Sequence, residues 1–93
     1  MISIRVRFFG QLLRVVGEEE ITVECAESST LKDLLNAVKE MFRDLEPLLA
    51  DEDRFRALHL IFIDGVDSEL LGGLNAHLSD GSRVDIVPVS HGG

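Results

Sequence analysis

Residues 31–45 carry the feature that most limits what this chain can fold into, a single apolar stripe at helical spacing. Polar and charged residues fall off the stripe, as they do on a helix with one buried side. Thr30 is a suitable N-cap, and Asp33 lies in the first turn, where its charge complements the helix dipole. We therefore predict one amphipathic helix that needs another layer to cover its apolar side. The stripe consists of Leu31, Leu34, Leu35, Val38, Met41, Phe42 and Leu45.

Four segments around this helix predict the layer that covers it. Residues 2–9 and 20–25 alternate apolar and polar side chains, so we expect two half-buried strands that pair antiparallel, with a short helical turn between them. Residues 58–63 form a nearly continuous apolar run, typical of an interior strand. Residues 84–89 alternate again and form the last strand.

The order of these elements indicates an α+β domain. The simplest architecture with this order is the ubiquitin-like β-grasp fold, a small mixed sheet with one main helix packed across one face. Pro47 stops the helix from continuing much further, and part of the acidic connection that follows can be helical. Residues 66–79 remain ambiguous because Gly72 and Gly73 interrupt them.

Length and composition limit the number of domains and the kinds of partner that we expect for this chain. The 93 residues suffice for one domain, which we assign to residues 1–88, followed by a flexible C-terminal tail at 89–93. A net charge of −8 opposes binding to nucleic acid and favours a basic surface on a protein partner. Cys25 is the single cysteine, and no apolar run has the length of a membrane span, so we expect a cytoplasmic protein with no disulfide and no membrane contact.

The tail poses the main functional question, because the chain alternates like a strand up to Pro88 and then ends on two glycines. Glycine has no Cβ, so Gly92 and Gly93 form a narrow end that can enter a tight channel. Five extended residues after Pro88 reach roughly 17 Å beyond the strand. The alternative is a frayed terminus without function, since chain ends are commonly disordered.

Several segments together resemble a known family. The terminal block DGSRVDIVPVSHGG, the VRFFG of the first strand, the helix after Thr30 and the IDG at residues 63–65 resemble the MoaD family, the small subunit of molybdopterin synthase, and its archaeal small-modifier relatives. The resemblance covers essentially the whole chain. Two features depart from the family: Val87-Pro88 stands where two prolines are usual, and His91 separates Ser90 from the glycines.

The resemblance implies a sulfur carrier that catalyses nothing itself and binds no cofactor. An adenylating enzyme of the E1 type would join Gly93 to AMP from ATP, and a sulfur donor would convert the adenylate into a thiocarboxylate. Ser90, His91 and Gly92 would thread the partner's channel. The large subunit of molybdopterin synthase (MoaE-like) would then take up the sulfur to build the dithiolene of molybdopterin.

Other functions remain open at this point. The same activated end serves ubiquitin-like modifiers that are conjugated to lysines, or sulfur donors for tRNA thiolation. A thiamine sulfur carrier also ends in two glycines, but such chains are usually shorter and lack the FFG strand ending. A non-covalent β-grasp docking module, whose terminus is never activated, is the alternative of another class.

Candidate docking residues lie on the last two long strands. Ile61, Ile63, Val87 and Val89 are expected to form an apolar patch on the open sheet face, unless neighbouring loops cover it. Cys25 falls on the apolar phase of its strand, which favours a buried thiol over a sulfur-handling one.

The remaining candidates have simpler explanations. The three histidines share no ligand spacing, so no metal site is predicted. Arg5 and Arg7 are more consistent with a solvated strand face than with a partner contact.

Overall fold

The computed structural model describes residues 1–89, so the predicted tail residues Ser90, His91, Gly92 and Gly93 lie outside the described range. The strands are β1 (Ile2–Phe8), β2 (Glu20–Cys25), β3 (His59–Ile63), β4 (Val66–Asp67) and β5 (Arg83–Pro88). The α-helices are α1 (Gly10–Val16), α2 (Leu31–Met41), α3 (Glu46–Leu49) and α4 (Glu52–Leu58). Short 3-10 helices lie at Arg43–Leu45, Ser68–Leu71 and Gly73–Asn75.

The strands form one mixed sheet in the order β2-β1-β5-β3-β4. β1 and β5 are parallel, and the other neighbouring pairs are antiparallel, including the predicted pair of β1 and β2. The C-terminal strand β5 therefore lies in the centre of the sheet, between the first strand and β3. This arrangement confirms the predicted mixed sheet and β-grasp order.

The predicted main helix is present as α2, and its N-terminus is closed by a capping box. The Thr30 side chain accepts a hydrogen bond from the Asp33 backbone N–H at 3.4 Å, and the Asp33 carboxylate accepts one from the Thr30 N–H at 2.9 Å. These two bonds satisfy donors that a helix start otherwise leaves free. The buried side of α2 lies on the sheet and presents Leu31, Leu34, Leu35 and Val38.

The helix is shorter than the apolar stripe predicts. It ends at Met41 because Phe42 leaves the helical conformation, and the Phe42 ring packs edge-on against Phe8 with centroids 6.3 Å apart. Met41 is consequently 51% exposed rather than buried. Leu45 reaches the core from the 3-10 helix that follows.

The acidic connection after Pro47 forms two short helices, α3 and α4. Pro47 lies in the first turn of α3, where its missing N–H removes no helical hydrogen bond. Asp51 caps α4 by accepting a hydrogen bond from the Arg54 N–H at 3.1 Å. Phe55 anchors α4 to the core.

The core fills the space between one sheet face and the helices. The fully covered side chains from the sheet come from alternate positions of β1 and β5, as the period of two requires. They are Ile4, Val6, Phe8, Val84 and Ile86.

We expect the replacement Leu34→Ala to lower the free energy of unfolding by about 2–5 kcal/mol, because Leu34 is 0% exposed and its loss leaves a cavity. The matched control is Leu70→Ala, since Leu70 is 80% exposed and should change stability by less than about 0.5 kcal/mol. Urea denaturation of both variants measures the difference. Equal effects at the two positions would contradict the assigned core.

Candidate functional site

The predicted tail, residues 89–93, begins directly after the end of β5. β5 ends at Pro88, and the backbone N–H of Val89 donates a hydrogen bond of 2.9 Å to the carbonyl oxygen of Leu58. Four residues of the sequence, from Ser90 to Gly93, follow Val89. The described fold thus holds the chain against the sheet up to Val89.

Two neighbours fix Pro88 at this exit. On the β3 side, Pro88 lies opposite His59. On the β1 side lies Gly10, whose φ is +62°, and a Cβ placed there would stand 2.7 Å from Pro88 Cγ. Only a residue without a side chain fits between this ring and the backbone of α1 as it stands.

His59 is itself held in place by α4. Its ring stacks on Phe55 with centroids 4.2 Å apart, and its Nδ1 lies 3.0 Å from the Phe55 carbonyl oxygen, within hydrogen-bonding distance. The first residue of β3 is therefore packed tightly where the last residue of β5 pairs with it.

The open sheet face carries an apolar strip that leads to the exit. In the antiparallel register, Leu60 lies opposite Val87, and Phe62 lies opposite Asp85. Directly opposed residues share a face, so Leu60, Phe62 and Val87 lie together on the side away from α2. Leu60 is 42% exposed, while Phe62, Val87 and Val89 are half-buried. We call Leu60, Phe62 and Val87 the apolar strip.

The prediction that Ile61 and Ile63 lie on the open face is wrong. They are 4% and 5% exposed and pair with Ile86 and Val84 on the core side of the sheet. The error arose because both phases of residues 58–63 are apolar, so the sequence of β3 carries no signal for its orientation. The register with β5 decides it and brings Leu60 and Phe62, which the sequence reading missed, to the open face.

Arginines border the apolar strip on the open face. Arg5 and Arg83 lie opposite each other on β1 and β5, and Arg7 lies opposite Asp85. The Asp85 carboxylate is 3.3 Å from Arg83 Nε and 3.7 Å from Arg7 Nε. The guanidinium carbon of Arg7 also lies 5.3 Å from the centroid of the Phe9 ring.

This cluster, Arg5, Arg7 and Arg83, contributes three of the nine Lys and Arg residues of a chain whose net charge is −8. Asp85 lies among them, and Glu20 and Glu24 of β2 lie on the same face, opposite Arg7 and Ser3. The three positive charges are therefore matched by at least three carboxylates on the open face. We call Arg5, Arg7 and Arg83 the arginine cluster.

Cys25, the last residue of β2, is buried in the core, as its phase in the strand predicted. Burial raises the pKa of its thiol, the carboxylates of Asp33 and Glu24 raise it further, and a hydrogen bond with Ser29 acts in the opposite direction. The thiol therefore stays protonated at neutral pH, which makes it a poor nucleophile. This agrees with a packing role for Cys25.

Within residues 1–89, no three His, Cys, Asp or Glu side chains are grouped closely enough to hold a metal ion. His59 lies in β3, His77 forms an isolated bridge with Thr30, and His91 lies outside the described range. None of the helices in the described part of the chain is long and apolar enough to cross a membrane.

A mixed five-stranded sheet of this order, crossed by one main helix and ending in a central strand, defines a ubiquitin-like β-grasp protein. The sequence model of the ThiS family matches residues 6–93, and the chain therefore belongs to the ThiS family. The family match and the fold confirm the resemblance that the terminal block indicated. No curated protein sequence matches the chain significantly.

Solved structures share the whole fold. Small archaeal modifier protein 1 from Haloferax volcanii is 18% identical, with a TM-score of 0.84 over 97% of this chain and 100% of its own. A putative molybdopterin converting factor subunit 1 from Pyrococcus furiosus is 22% identical, with a TM-score of 0.75 over 97% and 100%. The complex of subunits 1 and 2 of the molybdopterin-converting factor from Helicobacter pylori contains a chain that is 24% identical, with a TM-score of 0.62 over 99% and 100%.

We expect the Cys25 thiol to react with iodoacetamide at about pH 8 at least about tenfold more slowly in the native protein than in the urea-unfolded chain, because burial and the raised pKa both suppress the thiolate. Mass spectrometry of timed samples measures both rates. The pKa of the Cys25 thiol is higher in the folded protein, so the unfolded chain loses the thiol proton at a lower pH. The contribution of this thiol to the free energy of unfolding therefore declines as pH rises above about 8.5. Equal labelling rates in the two states would contradict the buried placement.

Proposed function

We propose that this chain is a ubiquitin-like sulfur carrier whose C-terminal Gly93 is adenylated and converted to a thiocarboxylate that donates sulfur in molybdopterin biosynthesis. The observation that carries the proposal is the path of β5. This strand runs through the centre of the sheet and is anchored at Val89, four residues from the carboxylate. The described fold thus reaches to within four residues of Gly93, which suits delivery of that residue into another protein's active site. Family membership supports the same function.

The terminal carboxylate needs activation because its carbon is a poor electrophile. In the proposed reaction, a Gly93 carboxylate oxygen attacks the α-phosphorus of ATP, and pyrophosphate leaves. A donor sulfur at the oxidation level of hydrosulfide then attacks the carbonyl carbon, and AMP leaves with the bonding electron pair. The thiocarboxylate that remains is the sulfur donor.

The chemistry of these steps belongs to partner proteins, and the chain acts as a non-catalytic subunit that binds no cofactor of its own. ATP is the substrate of an adenylating enzyme of the E1 type, and we place the reaction in the cytoplasm. The final acceptor enzyme is proposed to be a large subunit of molybdopterin synthase. Support comes from the Helicobacter pylori chain of the same fold, which forms a complex with a second subunit.

We propose the open sheet face as the surface that docks the adenylating enzyme. The apolar strip leads directly to the exit of the tail, because Val87 lies two residues before Val89. The arginine cluster beside it favours an acidic patch on that enzyme around an apolar centre. Glu20 and Glu24 on the same face, together with the net charge of −8, favour basic groups on the enzyme as well.

A second candidate function uses the same activated end for conjugation. A lysine amine, instead of sulfur, would attack the acyl adenylate and form an isopeptide bond as AMP leaves. The structural similarity to small archaeal modifier protein 1 supports conjugation as a second candidate function. Transfer of the sulfur to tRNA would differ only in the final acceptor.

We expect the wild-type chain to support ATP–pyrophosphate exchange by its adenylating enzyme. A variant with one alanine added after Gly93 should support no exchange. The added residue moves the carboxylate one position further and leaves residues 1–89 unchanged. The control is binding of both chains to the enzyme, measured by calorimetry, which should persist. Unchanged exchange with the extended chain would contradict activation at Gly93 and favour a docking module.

We expect Leu60→Asp to raise the KM of the exchange reaction about tenfold or more, because a charge would enter the apolar centre of the docking surface. Leu70→Asp is the matched control: both leucines are exposed, but Leu70 lies in the 3-10 helix outside the sheet. Steady-state kinetics over a range of chain concentrations gives the two KM values. Equal KM values would exclude the open face as the docking surface.

A further inference from the structure

We infer that Gly10 is a positioning residue for the tail: by leaving room for the Pro88 ring, it fixes the direction in which the chain leaves the sheet. The expected effect on activation of Gly93 rests on the proposed function. The expected effect on the backbone at Val89 rests on geometry alone. Gly10 is far from the terminus in sequence and carries no reactive group.

The contact between Gly10 and Pro88 is unusually close. A Cβ on Gly10 would lie 2.7 Å from Pro88 Cγ, 3.4 Å from Cδ and 3.7 Å from Cβ. The first of these distances is too short for two carbons, so either the ring or the start of α1 would have to move. The site has room for a hydrogen atom and for no larger group.

Pro88 is restrained in three ways at this position. Its ring fixes φ near −65°, which removes one of the two backbone rotations at the end of β5. Gly10 lies against the ring, and the next residue, Val89, is tied to Leu58 by a hydrogen bond of 2.9 Å. β1 and β3 therefore hold the base of the tail from both sides.

A shift of Pro88 moves the point from which the segment leading to Gly93 leaves the sheet. A misplacement of about 1 Å can cost a reaction on the order of 100-fold in rate. A small shift of Pro88 is therefore expected to reduce activation far more than it reduces folding.

The chain offers a matched control at Gly17. Gly17 also has a left-handed backbone, with φ of +82°, but a Cβ there would meet nothing within 4 Å. Gly17→Ala introduces comparable backbone strain without a contact. The comparison of Gly10→Ala with Gly17→Ala thus separates the effect of the Pro88 contact from that of the strain.

The experiment measures two quantities for the wild type and both alanine variants. The first is amide hydrogen exchange at Val89, which reports the bond to Leu58. The second is kcat/KM for ATP–pyrophosphate exchange by the adenylating enzyme. We expect Gly10→Ala to lower Val89 protection about tenfold more than Gly17→Ala does, and to lower kcat/KM about 10- to 100-fold with unchanged binding to the enzyme.

A double-mutant cycle with Pro88→Ala tests the contact itself. Removing the ring creates the space that the new Cβ needs, so the effect of Gly10→Ala on Val89 protection should largely vanish in the Pro88→Ala background. This background also relieves the clash if Gly10→Ala alone folds poorly. A role of Gly10 in general stability would give the same loss in both backgrounds.

Equal losses of Val89 protection for Gly10→Ala and Gly17→Ala, or an unchanged Gly10→Ala effect in the Pro88→Ala background, would overturn the inference. Normal kcat/KM of Gly10→Ala despite reduced Val89 protection would overturn its catalytic part. If the wild-type chain supports no exchange reaction, the proposed function fails instead. The amide measurement still decides the Gly10–Pro88 contact in that case.

Discussion

The parallel pairing of β1 with β5 sets the layout of the whole sheet. It places the last strand between the first strand and β3, so that Val84 and Ile86 are buried with Val6 and Phe8. The end of β5 is thereby held between two strands, and the direction of the chain at Val89 is set by neighbours on both sides. A C-terminal strand at the sheet edge would have one neighbouring strand instead of two and would fray more readily.

Much of this architecture could be predicted from periodicity alone. The alternation in β1 and β2, the stripe of α2 and the capping residues Thr30 and Asp33 each specify their element locally. The orientation of β3 could not be predicted, because both of its phases are apolar and only the register with β5 decides which side faces the core. The helix ends at Met41, and Phe42 packs against Phe8, a contact that no local pattern reports.

Part of the candidate site could likewise be predicted from the sequence, and part could not. Gly92 and Gly93 could be singled out from the sequence because their residue type suggests the proposed role, whereas the support at the end of β5 is assembled from three distant segments. Gly10, Leu58 and Pro88 meet only in the folded sheet. The arginine cluster is likewise divided between β1 and β5, and Glu20 and Glu24 of β2 lie on the same face.

In the proposed function, the Gly93 carboxylate is the group that reacts. Intact-mass analysis of the chain after incubation with its adenylating enzyme, ATP and a sulfur donor tests this proposal most directly. We expect a product in which one terminal oxygen is replaced by sulfur, with fragmentation placing the change at Gly93. A chain that binds the enzyme but keeps an unmodified carboxylate under these conditions would contradict the proposal.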